Sequence, residues 1–121
     1  MRLAVIAAGG ILGSAARMLL ALALPWTGGW PWATLLVNIV GSLAMGVLAA
    51  VIVDTRPLLR PFLLTGVLGG FTTFSAFAYE SATLLDAGEV VTALVYVAAT
   101  LAGGLLAYSL GQRLARPRSA T

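Results

Sequence analysis

Asn38, the hydroxyls of Thr72, Thr73 and Ser75, and the rings of Phe74 and Phe77 are the side chains of this 121-residue sequence best suited to chemistry. None of them is charged. Amide and hydroxyl groups can replace part of the hydration shell of a small ion without holding it too tightly. Such groups serve either sign of ion. The phenylalanines bias the choice, because a ring edge is positive and could contact an anion where water is excluded. Arg17, placed near an entrance, would favour an anion too. Physics alone therefore suggests a narrow anion pathway. Each feature also has a plainer reading. Asn38 could make an interhelical hydrogen bond worth about 1 kcal/mol. The hydroxyls could bond to their own helix, and Arg17 could snorkel to the interface. The residues by themselves leave both readings open.

These groups must be positioned by apolar segments. The stretch GVLGGFTTFSAFAYE, residues 66–80, lies within an apolar run over residues 58–85 that is long enough to cross a bilayer. Gly69-Gly70 is its weak point as a helix. A helix broken at that depth frees backbone groups that must find protein, water or an ion, and broken helices often line ion sites. Phe71, Phe74 and Phe77 share one face if the backbone is helical there. Two stripes repeat every fourth residue: Thr34, Asn38 and Ser42, then Thr92, Tyr96 and Thr100. Gly9, Gly13 and Arg17, with Gly10 and Ser14 beside them, form a close-packing face. Glu80 reads as a wet carboxylate at the end of the third span.

The composition sets the class. The chain is 60% hydrophobic and 9% charged, with a mean hydropathy of +1.02, against about 25% charged residues in a soluble domain. The expected fold is an all-α membrane protein, one integral-membrane domain over residues 1–121. Its spans fall near residues 3–24, 33–53, 58–85 and 90–112, with the third helix broken within residues 69–73. Continuous apolar runs argue against a β-barrel. With no Cys and no His, disulfides and thiolate or imidazole chemistry are excluded, and no nucleophile–base pair marks an enzyme. The excess charge is only +3 and comes from arginines near span ends, which fits membrane topology rather than nucleic-acid binding. The start is read as a retained span, since Arg17 and glycines interrupt any signal-peptide pattern. Trp26, Trp30 and Trp32 read as interface anchors, and the tail from Arg113 as frayed. With four spans, Arg2, Arg56, Arg60, Arg113, Arg116 and Arg118 share one side, which favours cytoplasmic termini.

Four segments resemble the Fluc (CrcB) family of fluoride channels: Gly9-Gly10-x-x-Gly13-x-x-x-Arg17, Thr34-x-x-Val37-Asn38-x-x-Gly41-Ser42, the string from Gly69 to Phe77 with Glu80 after it, and the weaker Tyr96/Thr100 spacing. The resemblance implies a passive, fluoride-selective channel in the plasma (inner) membrane of a prokaryote. It implies an antiparallel dimer with two pores. Asn38 would lie by the pore, with Phe74 and Phe77 edge-on to the path. Thr34, Ser75, Tyr96 and Thr100 would belong to the polar lining, and Arg17 to an anion vestibule. It further implies a structural, untransported Na⁺ on the dimer axis, held by the Gly69 and Thr72 carbonyls of both chains. The dimer would be a homodimer, or a heterodimer with an oppositely oriented paralogue. Ala76 and Gly104 depart from the hydroxyl residues found in members of the family. The alternative reading is a four-helix, proton-coupled exporter of cationic drugs, which needs a membrane-embedded carboxylate. A non-transporting scaffold, with the stripes acting as helix glue, is a third.

Overall fold

Apolar spans must satisfy every backbone group internally, and this chain does so with helices. The computed structural model describes residues 1–52 and 56–117. Val53, at the end of the second expected span, Asp54 and Thr55 of the charged connection, and Arg118 of the tail lie outside the described residues. Helix α1 covers Arg2–Ala23 and α2 covers Trp32–Val51. Helix α3 starts as a π-helical segment, Pro61–Leu68, and ends in an α-helical turn, Gly69–Phe71. Helix α4 covers Phe74–Asp86, and α5 covers Val90–Ala115. Because α3 and α4 form one crossing, the described residues contain four helical segments long and apolar enough to span a membrane. The 22 residues of α1 reach about 33 Å, close to the thickness of a hydrocarbon core. Helix α5 runs past the expected end, so Arg113 sits in its last turn rather than in a frayed tail.

The break lies within the expected stretch, but not at the glycines. Gly69 keeps helical angles (φ −63°, ψ −36°). The chain leaves the helix at Thr72 (φ −77°, ψ 157°) and is extended at Thr73 (φ −149°, ψ 124°). The glycine at position 70 serves close approach instead. A Cβ on Gly70 would lie 2.5 Å from the Gly10 carbonyl oxygen, and one on Gly13 would collide with the Val67 carbonyl. Helix α1 therefore packs backbone against backbone on α3. Gly46 and Gly111 do the same for α2 and α5, where added Cβ atoms would strike the carbonyls of Tyr108 and Leu43. These two helix pairs dominate the packing, and α4 lies against α5.

Beyond α4 lies a small aromatic core of Phe77, Leu84, Ala93 and Tyr96, with Trp26 and Trp30 packed on it. Trp30 meets Tyr96 edge-on at 5.7 Å between ring centres. Trp26 meets Tyr79 at 6.5 Å and donates Nε1–H to the Gly29 carbonyl at 2.9 Å. Two of the three tryptophans thus turn onto protein, and only Trp32 is largely exposed. Partly buried rings packed in this way are compatible with the interface anchoring read from the 25–32 loop. Gly28 and Gly29 adopt positive φ in this loop, a conformation that glycine takes without strain.

Gly13→Ala should destabilise the folded chain by about 1–3 kcal/mol, since the Val67 backbone cannot move aside. Gly10→Ala, whose Cβ would meet nothing within 4 Å, should be close to neutral. Thermal unfolding in detergent measures both, and equal midpoints for the two variants would contradict the packing described.

Candidate functional site

A break in a membrane helix exposes peptide groups, and each needs a partner. At Thr73 both groups pair with one side chain. Asn38 Nδ2 donates to the Thr73 carbonyl at 3.0 Å, and the Thr73 N–H donates to Asn38 Oδ1 at 2.9 Å. The carboxamide has the donor–acceptor pattern of a peptide, so it completes the ladder that the helix abandons. Its second Nδ2 proton is left over. Thr72 closes the end of α3, sending its N–H and its hydroxyl to the Leu68 carbonyl at 3.0 and 2.9 Å. The Thr73 hydroxyl caps α4 by accepting from the Ala76 N–H at 3.2 Å. Ser75 is exposed, with its hydroxyl 3.3 Å from that of Thr73.

The two helix ends at the break have opposite polarity. The C-terminal end of α3 offers carbonyls and partial negative charge. Arg17 donates Nε–H to the Gly70 carbonyl there at 3.1 Å, with Ser14 Oγ 3.5 Å from the same oxygen. Arg17 is therefore turned into the protein, against a helix C-terminus. Since the Thr73 N–H goes to Asn38, it does not bond back to Gly69, whose carbonyl is released. Gly69 is exposed in the single chain. The N-terminal end of α4 offers amide protons and partial positive charge, and the N–H groups of Phe74 and Ser75 have no intrahelical acceptor.

An open groove of about 470 Å³ runs beside the break, lined among others by Asn38, Ser42, Thr73, Phe74, Thr100 and Gly104. Phe74 is 76% exposed and Phe77 is 7% exposed. Their ring centres are 5.7 Å apart, and Phe77 continues to Tyr96 at 5.4 Å. The expectation that Phe71 shares this face assumed a continuous helix. The extended residues at the break detach it, and Phe71 packs instead beside Gly41. Thr100 brings a buried hydroxyl oxygen that has no hydrogen-bond partner among the described residues.

Glu80 is the residue that the sequence placed wrongly. It is 8% exposed, not wet. Thr34 donates its hydroxyl to Glu80 Oε1 and Tyr96 donates its hydroxyl to Oε2, each at 2.7 Å. Tyr96 is completely buried. The two hydroxyl stripes thus diverge: their Thr34 and Tyr96 members meet Glu80, while Asn38 meets the break and Thr100 the groove. Only the position of Glu80, three residues after Phe77 and so on the same helix face, hinted at this. Arg17, Thr34, Thr73, Ala76 and Glu80 all face a second cavity, of about 120 Å³. Ala76 lines this cavity and Gly104 the groove, neither bringing a hydroxyl. Among the described residues, no cluster of three or more acidic residues could hold a metal ion.

Comparison with known proteins gives a consistent set of relatives. The family model described as CrcB-like protein, Camphor Resistance (CrcB), matches residues 4–112. The fluoride-specific ion channel FluC of Paracoccus denitrificans is 51% identical over 113 residues, covering 92% of this chain and 91% of that protein. That of Rhodospirillum centenum is 49% identical over 110 residues, covering 84% and 87%. The fluoride-specific ion channel FluC 2 of Streptomyces avermitilis is 53% identical over 102 residues, which cover 81% of this chain but only 65% of that longer protein.

Asn38→Ala should leave the N–H and carbonyl of Thr73 without their partner, at a cost of about 1–3 kcal/mol for each group. Unfolding midpoints in detergent should fall accordingly, and amide exchange at Thr73 should speed up. Wild-type stability and exchange in this variant would show that the paired bonds do not hold the break.

Proposed function

This chain belongs to the CrcB family, and we propose that it is a fluoride-selective channel through which fluoride leaves the cytoplasm passively. One observation carries the reading: the groove at the break gathers neutral polar groups and the Phe74 and Phe77 rings, in a chain whose relatives are named fluoride-specific ion channels. A small anion entering it must exchange water for protein donors. The second Nδ2 proton of Asn38, the first amides of α4 and the Thr100 hydroxyl supply them. The ring edges of Phe74 and Phe77 offer weak positive charge without a formal cation that would trap the ion. The hydroxyl protons of Thr34 and Tyr96 are committed to Glu80. These two residues therefore act as positioning groups behind the path, Tyr96 against the Phe77 ring and both on Glu80, with Ser75 and Thr73 at its α4 end. Arg17 gives the vestibule a positive bias while it caps Gly70.

A structural Na⁺ belongs to the same proposal. The donor set fits a hard cation: the Gly69 carbonyl is released from the helical pattern, Thr72 leaves the helix one turn later, and both sit at the negative end of α3. Two carbonyls do not complete a coordination shell, but the same pair from a second chain would double it. When bound, the cation neutralises the carbonyl dipoles at the chain–chain contact. The exposed Gly69 and the largely exposed Phe74 are consistent with such a contact. The partner is an inverted copy of this chain, or an oppositely oriented paralogue. The inverted copy is the default, and the arginine bias toward one membrane side, which favours single-orientation insertion, is the argument for the paralogue. The setting is a bacterial plasma membrane crossed several times by each chain.

The exporter alternative requires a buried carboxylate, and Glu80 is one. Both of its oxygens are engaged by hydroxyls, and the relatives are named channels, so the channel reading stands.

Liposomes containing the purified protein should release fluoride down its gradient without a proton gradient, and release chloride far more slowly. Phe77→Ile should reduce fluoride flux, because an aliphatic side chain has no positive edge. Replacing Na⁺ on both sides with a large organic cation should lower it as well. Equal chloride and fluoride flux would reject the channel reading, and full flux without Na⁺ would remove only the cation site.

A C-terminal reporter active only in the cytoplasm should give signal, and one active only outside should not. Comparable signal from both would establish dual insertion and an inverted homodimer.

A further inference from the structure

At the membrane end where α1 and α3 begin, a cavity of about 520 Å³ is lined by Arg2, Arg56 and Arg60, with Ile6, Leu58 and Thr65 among its walls. None of these residues lines the groove at the break. We propose that this cavity binds the headgroup of an anionic phospholipid.

Charge is the first argument. Guanidinium groups from two separate segments converge on one cavity, and each can present a fork of donors to a phosphate. Arg60 is already engaged within the protein, so Arg2 and Arg56 carry the contact. Neither makes an ion pair among the described residues. The described carboxylates are elsewhere: Glu80 is bound within the helices, while Asp86 and Glu89 flank the α4–α5 turn at the opposite membrane end.

Position is the second argument. The arginines stand at the ends of apolar helices, at the level where lipid phosphates lie, and basic pockets between helices at that level suit anionic headgroups. Ile6 and Leu58 give the cavity an apolar wall, and Leu3 on α1 is 82% exposed. A lipid would thus find a polar cradle for its phosphate and an apolar helix face for its chains. A free phosphate would gain only the first. Arginines that merely set topology need no shared cavity. The inference is independent of the fluoride reading.

The full chain, purified in a neutral detergent, is incubated with phosphatidylglycerol, phosphatidylcholine or inorganic phosphate, and retained molecules are counted by native mass spectrometry. The wild-type protein should retain phosphatidylglycerol in preference to phosphatidylcholine. The double variant R2Q/R56Q should bind it about tenfold more weakly or worse. R113Q/R116Q, which removes equal charge from the same membrane side, should keep the preference. Equal losses in the two variants would reduce the effect to diffuse charge and overturn the proposal. So would equal retention of the two lipids, or full displacement of the lipid by millimolar inorganic phosphate. A photoactivatable phosphatidylglycerol on the wild-type protein decides the matter without relying on variants. Adducts confined to residues 1–6 and 56–65 support the site, and adducts spread along the helices overturn it.

Discussion

The pairing of the Asn38 carboxamide with the backbone of Thr73 is the interaction on which the rest of the structure depends. A helix interrupted within a membrane faces a cost of several kcal/mol for each peptide group left without a partner. One side chain from α2 meets both groups of Thr73, at 3.0 and 2.9 Å. This permits two extended residues where the surroundings would otherwise impose a helix. It also ties α2 to the α3–α4 junction, so that α4 sets off in a fixed direction and presents Phe74 to the groove.

Interrupting the helix creates two ends of opposite polarity a few residues apart. The α3 end is met by a cation, the Arg17 guanidinium on Gly70, and it retains released carbonyl character at Gly69. The α4 end presents amide protons, with the Thr73 hydroxyl satisfying that of Ala76. An isolated α-helix keeps its ends at the membrane surfaces, where water screens them. Here they lie beside a groove with largely apolar walls, where weak dipoles have longer reach. The Glu80 cluster is built on the same economy of partners. Burying a carboxyl group is tolerable because two hydroxyls at 2.7 Å meet its two oxygens, and it joins α2, α4 and α5 at one point.

Small residues make these arrangements geometrically possible. Gly13 and Gly70 let α1 and α3 touch along their backbones, and Gly46 and Gly111 do so for α2 and α5. Gly41 does the same between α2 and the α3–α4 junction, where an added Cβ would strike the Thr72 side chain, so that a side chain as short as that of Asn38 reaches Thr73. A larger residue at position 41 would push α2 away from the junction and leave Asn38 short of Thr73.

The sequence by itself determined the number of crossings, their approximate ends, the interruption of the third helix and the neutral character of the polar stripes. These are properties of local composition and period: apolar runs of bilayer length, glycines and hydroxyls at mid-depth, and polar residues recurring every fourth position. The motifs also sufficed for the family resemblance. Only the tertiary structure decided what each polar group meets. Asn38 finds Thr73, 35 residues away, and Thr34 finds Glu80, 46 residues away. A periodicity says which residues share a face, but not which helix that face adjoins. For this reason Glu80 read as a surface carboxylate, and the break could be placed only within residues 69–73, with Gly69-Gly70 as its weak point. The break instead falls at Thr72–Thr73, because that is where another helix supplies a partner for the freed backbone.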